Sequence, residues 1–223
     1  MSVAHGTEDV RWDLHRLYPG AGSGEVRRDL TAAEQMSDGF QSRLHGRVAE
    51  LDPLGLADAV EELQAIQEKV EKVQTFAFLN FSLDTSDPGA GAFLQRVQER
   101  STVVSTNLLF FELEWAAVPD ERAEELLVDP ALAEWRHFLR AVRRFRPHLL
   151  TEPEEKMFTE KAVTGRAAWV RLFTQVTDSI EVDDDGEKYS LEESLADLSL
   201  PDREIRQRVG RNITAALQPG LPV

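Results

Sequence analysis

Histidine is the residue from which hydrolytic metal chemistry would have to be built in this chain, because cysteine is absent. The five histidines, His5, His15, His45, His137 and His148, are followed by Gly, Arg, Gly, Phe and Leu. An H-E-x-x-H motif sets two imidazoles one helical turn apart on a metal with a glutamate as base, and none of the five begins one. No two of them stand three or four residues apart, so each reads as a surface or capping residue. No Ser/His/Asp set and no paired-carboxylate spacing stands out either. The sequence therefore assigns no catalytic, cofactor-binding or metal-binding residue within this chain.

Three other clusters bear on chemistry. Glu181, Asp183, Asp185, Gly186 and Glu192 follow the spacing of an EF-hand loop. Glu stands where the loop opens on Asp, however, and Lys188 sits where a small apolar residue belongs. A solvated Asp-Gly hairpin turn is the preferred reading and calcium binding the rival. The stretch Gly20 to Gly24, GAGSG, has no strand before it and no Lys-Ser/Thr after it, so it reads as a loop and not a phosphate cradle. Between Arg136 and Thr151 there is no acid, while Arg136, Arg140, Arg143, Arg144 and Arg146 cluster. In an acidic chain these arginines read as partners for carboxylates, within the domain or across to another, in preference to a nucleic-acid site.

The elements that must carry these residues are helical. Leu56, Val60, Leu63, Ile66, Val70, Val73 and Ala77 recur in steps of three and four, the spacing of one buried helix face. A second stripe runs from Val26 to Leu51 and a third from Phe93 to Trp115, so three long helices fill the first half. Shorter helices are predicted over Ala131 to Phe145, Glu152 to Val163, Gly165 to Ser179, Leu191 to Leu198 and Asp202 to Leu217. Pro53, Pro88, Pro119, Pro130, Pro147 and Pro201 mark the joints, where a missing amide donor costs least. Thr151 with Glu154, and Ser190 with Glu193, have capping-box spacing. Alternation over 180–182 and 189–191 around Asp185-Gly186 predicts one short β-hairpin. The fold class is an all-α bundle of long antiparallel helices with that hairpin. It divides into a long-helix part at about 1–118 and a part with shorter helices and the hairpin at about 119–223.

Composition narrows the partners. With 40 acidic against 25 basic side chains the formal charge is −15, which repels phosphate backbones and anionic lipid surfaces. No nucleic-acid or membrane partner is expected. The residues from Met1 to Arg11 have no apolar core of a signal peptide, and the lack of cysteine fits a reducing compartment, so a cytoplasmic protein is expected.

Five colinear segments resemble oligoendopeptidase F-like members of the thimet oligopeptidase superfamily of zinc peptidases. VRWDLHRLYPG at Val10 to Gly20 is similar to an opening "W-D-L-x-x-L-Y". TFAFLNFSLD at Thr75 to Asp84 is similar to an aromatic-rich stretch that leads into "D-T-x-D". Arg143 to Phe173 resembles "R-P-H-x-L-S-E-x-E-E-K…G-x-x-A-W-x-x-L-F". IEVDDDGEKYSLEE and SLPDREIRQRV resemble the segments that follow. The resemblance implies an N-terminal helical lobe forming one wall of a substrate channel for short peptides. It places zinc, with H-E-x-x-H and a further glutamate, in a later catalytic domain. No zinc ligand or general base carries over to a residue here. The expectation is a lobe, or truncated form, that packs against a C-terminal catalytic domain and is inactive alone. A stand-alone helical peptide-binding or assembly module is the alternative.

Overall fold

The structure is a computed structural model that describes residues 12–220; Val10, Arg11, His5 and the rest of the first eleven residues lie outside the described part, as do Leu221 to Val223. It divides into a larger unit, Asp13–Arg166, and a smaller one formed by Trp12 and the residues from Ala167 on.

The larger unit is built on α1 (Gly24–Leu44), α2 (Pro53–Leu83) and α3 (Pro88–Ala117). Each start is capped by a side chain that satisfies an amide left without a partner in the first turn. The Ser23 hydroxyl accepts from the Val26 amide, the Asp52 carboxylate from Gly55 and the Asp87 carboxylate from Gly89. Pro53 and Pro88 open α2 and α3 where the ring is harmless. Arg43 near the end of α1 pairs with Glu62 near the start of α2, so those helices run antiparallel. Arg100 forks onto Glu34 and Asn107 donates to Asp38, so residue numbers rise together along α1 and α3.

The three predicted stripes face one another and form two apolar clusters. Phe40, Leu63, Ile66, Phe110, Phe111 and Trp115 belong to the first. Tyr18, Phe76, Phe81 and Phe93 belong to the second. The opening motif thereby gains a structural role. Tyr18 is buried edge-on against Phe76, its hydroxyl donates to Asp29 at 2.8 Å, and Lys72 lies over its ring. Burial first, and the Asp29 carboxylate second, push its hydroxyl above the ordinary value.

Two boundaries differ from expectation. The first helix does not continue to Leu51: Gly46 turns into the left-handed region at φ +79°, and a 3₁₀ turn, Val48–Glu50, follows. The Glu114 carboxylate accepts from the amides of Gly46 and Val48, which fixes this corner onto α3. Val48 nevertheless enters the core, which explains why the stripe seemed to run on. A short helix, α4 (Asp120–Leu127), occupies a stretch where none was predicted, and α5 (Arg136–Arg144) is correspondingly shorter than expected, preceded by a 3₁₀ turn at Pro130–Leu132. Two acids in the first turn of α4 favour it through the helix dipole, a signal too short to register as periodicity.

α6 (Glu152–Ala162) closes the larger unit, with the Glu154 carboxylate accepting from the Thr151 amide as the capping-box spacing requires. Beyond a π-turn at Val163–Ala167, where the backbone at Gly165 leaves helical angles, the smaller unit begins with α7 (Ala168–Asp178). β1 (Glu181–Asp184) and β2 (Glu187–Ser190) pair antiparallel, Val182 opposite Tyr189. α8 (Leu191–Asp197) starts at the Ser190–Glu193 capping box, and α9 (Arg203–Leu217) packs back on the hairpin. Val182, Val209 and Ile213 make a small core of their own. The fold class is thus an all-α bundle with one short hairpin.

Candidate functional site

The four described histidines do not come together. His15 bonds Asp13 on the surface, and His45 meets Glu152 at 3.1 Å with its ring edge-on to Phe110. His137 and His148 are exposed at separate places on and after α5. Among the described residues no three His, Asp or Glu side chains converge as a metal would need. The described residues thus offer no arrangement that fits zinc.

The arginine cluster is tied down within the larger unit. Arg143, its side chain only 10 % exposed, donates to the carbonyls of Trp115 and Val118, both at 2.7 Å, and to Asp120. Arg146 reaches the same carboxylate at 2.8 Å, Arg140 pairs with Glu124, and Arg136 donates to the Leu127 carbonyl. These bonds satisfy carbonyls left open where α3 ends, the place at which cations also complement the helix dipole. Trp115 completes the joint: its indole N–H donates to the Leu139 carbonyl at 2.8 Å, and the Arg143 guanidinium lies over its ring. Arg143 and Arg146 are therefore holding elements.

The Arg146 and Arg143 hydrogen bonds hold the Asp120 carboxyl below its ordinary value of 3.8. A depressed carboxyl contributes stability that is fully present above the unfolded value and disappears as pH falls through the folded one. Asp120→Asn should therefore destabilise the protein slightly at neutral pH, and the difference from wild type should shrink progressively as pH falls below 3.8. Because Asp120 is exposed, 1 M salt should shrink the difference too. Thermal melts at several pH values would show it.

The acidic hairpin is likewise accounted for. Asp185 at φ +58° and Gly186 at φ +91° form the tight turn, and the Asp183 carboxylate accepts from the Gly186 amide. Glu181 is paired with Lys188, and Asp184 with Arg208 and Asn212. The EF-hand spacing thus falls on a hairpin in which Glu181, Asp183 and Asp184 each have separate partners.

Two surfaces are not explained by packing. One is a groove along α2 and α3. A cavity of about 240 Å³ has Leu63, Val70 and Leu108 among its apolar lining residues and Gln67, Glu71 and Glu112 among its polar ones. A second, of about 180 Å³, adjoins it through Leu63 and Gln67 and adds Trp135 and Phe138. Gln67, Glu71 and Gln74 recur at helical spacing beside the apolar stripe, which is the signal by which the sequence could have disclosed this edge. The other surface is α7. Its predicted stripe, Trp169, Leu172, Phe173 and Val176, is not covered: Trp169 and Phe173 are each 70 % exposed and no residue of the helix is buried. Contiguous exposed apolar area of this kind marks an interaction surface.

The described residues form a helical bundle finished by a hairpin unit. The sequence profile of the family described as Oligopeptidase F matches residues 114–181. The fold is similar to that of an oligoendopeptidase-F from Enterococcus faecium, at a TM-score of 0.71 and 19 % identity, with 87 % of this chain and 40 % of that one covered. It is also similar to a candidate peptidase from Chlamydophila abortus, at a TM-score of 0.50 and 19 % identity, covering 93 % of this chain and 36 % of that one. No curated protein matches the sequence. Profile and fold together support an N-terminal domain of an oligoendopeptidase F-like peptidase. The chain spans well under half the length of the solved structures it resembles.

Proposed function

We propose that this chain is the substrate-channel lobe of a zinc-dependent oligopeptidase acting on short peptides in the cytoplasm, and that it is not catalytic by itself. The uncovered apolar stripe of α7 carries the reading: a helix with five exposed large apolar side chains is suited to packing against further protein, here a C-terminal catalytic domain. The groove along α2 and α3, with its apolar floor and amide and carboxylate rim, supplies a peptide-facing wall. The lobe would contribute peptide contacts and exclude folded proteins. Zinc and its ligands would be supplied from outside this lobe. A stand-alone binding module is less favoured, because it would be expected to bury the stripe on α7.

Two measurements on the purified chain test this. Incubation with fluorogenic peptides and added zinc should give no turnover above the buffer rate. The chain should also bind a hydrophobic dye strongly, with the signal falling by about half in a Trp169→Gln, Phe173→Gln double variant that keeps its helical circular dichroism. Chain-dependent turnover would overturn the non-catalytic role. A monodisperse monomer with negligible dye binding would favour the stand-alone module.

A further inference from the structure

The third cavity in the larger unit has a character opposite to the rest of the molecule. It measures about 300 Å³ and lies between α1 and α3 beside the glycine-rich turn, at the lower end of the ~300–1,000 Å³ range of ligand sites. Its floor is apolar, with Leu30, Phe93 and Val97. Arg27, Arg96 and Arg100 also line it, and no carboxylate does. In a chain with 40 acids and 25 lysines and arginines, a wall that gathers three arginines and no acid is a marked local reversal of sign.

These guanidinium groups retain donors. Arg96 makes no hydrogen bond or ion pair among the described residues. Arg27 spends Nη1 on the Gly22 carbonyl at 3.0 Å. Arg100 spends Nε and Nη2 on Glu34 and Thr31, which anchors its guanidinium plane and leaves Nη1 unused. One arginine is thus held rigid while two stand at the rim with donors to spare. Backbone polarity agrees: the turn at Gly22 leads into the start of α1, whose positive dipole end lies beside the cavity. Guanidinium groups over an apolar floor match a planar anion attached to an apolar group.

We propose that this cavity binds a carboxylate carrying an apolar side chain, with Arg27 and Arg96 on the anion and Leu30, Phe93 and Val97 on the apolar part. Two sources share that chemistry: the C-terminal residue of a short peptide and a free short-chain fatty acid. The peptide source rests on the peptidase reading above, whereas the carboxylate chemistry does not.

The test is a nitrogen-15 NMR titration of the whole chain with three probes: the tripeptide Ala-Ala-Leu, its C-terminal amide, and hexanoate. The free tripeptide should shift amides of residues 21–31 and 93–100 saturably, and the amide should bind about tenfold more weakly, the scale of one charge-assisted contact. Arg96→Gln, an exposed position whose loss leaves the core untouched, should weaken the acid by a similar factor, and Arg27→Gln should act likewise. Hexanoate binding as tightly as the tripeptide supports the site and assigns it to free acids, whereas hexanoate at least tenfold weaker assigns it to peptide C-termini. Equal binding of acid and amide, an Arg96→Gln variant with unchanged affinity, or no saturable shift at 10 mM of either acid, roughly the weak limit for such contacts, would overturn the proposal. The peptide reading fails separately if hexanoate alone binds.

Discussion

Trp115→Ala should lower the thermal midpoint of the larger unit by roughly 10 °C, from a loss of about 3–5 kcal/mol at about 2–4 °C per kcal/mol. Trp115 is fully buried where α3 meets α5, so truncation leaves a cavity that the surrounding helices can only partly close. The same change removes the indole hydrogen bond to the Leu139 carbonyl and the ring on which Arg143 rests. Trp115→Phe separates the contributions. It keeps an aromatic ring and loses the indole N–H, so it should cost only about 1–2 kcal/mol. A melt in which the two variants behave alike would show that the hydrogen bond, and not the packing, dominates the joint. Calorimetry and the fluorescence of the remaining tryptophans give the readout.

Val182→Asp should dissolve the hairpin and α9 while the long helices stay folded. Val182 is almost wholly buried against Val209 and Ile213, and these three are the only fully enclosed apolar residues of that cluster. Burying each contributes about 1.5–3 kcal/mol, and an unpaired carboxylate in their midst costs several kcal/mol, so the substitution outweighs what the small core supplies. Asp184, two residues away on the strand, already pairs with Arg208 and Asn212. Hydrogen exchange should accelerate at least about 100-fold for amides of 181–190 and 205–216, equivalent to about 2.7 kcal/mol, with α1 to α3 unchanged. Simultaneous loss of protection in α1 to α3 would show that the two units unfold as one. Val182→Ala, which adds no charge, should give a much smaller acceleration confined to the same amides.

Much of the fold was legible before any coordinates. The stripes on α1, α2 and α3 carry both apolar clusters, and the predicted hairpin forms around Asp185-Gly186, where Val182 pairs opposite Tyr189. Both capping boxes sit at helix starts. The missed helix α4 is short and charged, with too few turns for periodicity to speak. The overrun at Val48 arose because a residue can occupy a core position on the stripe without belonging to the helix. The arginine cluster was read as a set of partners for carboxylates, and Arg140, Arg143 and Arg146 do pair with Glu124 and Asp120; the further bonds of Arg143 to backbone carbonyls at the end of α3 are ones that no side-chain pattern discloses.

What the sequence determined by itself is local and chemical: helix and hairpin positions follow from spacing within a few turns, and the missing H-E-x-x-H follows from the residues after five histidines. Tertiary structure decided which stripes are covered and which charges meet. The α2 and α7 stripes look alike as patterns, yet one is the centre of a core and the other faces outward. Arg100 finds Glu34 across 66 residues, and Arg27 and Arg96 reach one cavity from different helices. Periodicity reports the face a helix offers, whereas coverage and charge pairing depend on contacts between distant segments, and those exist only once the chain has packed.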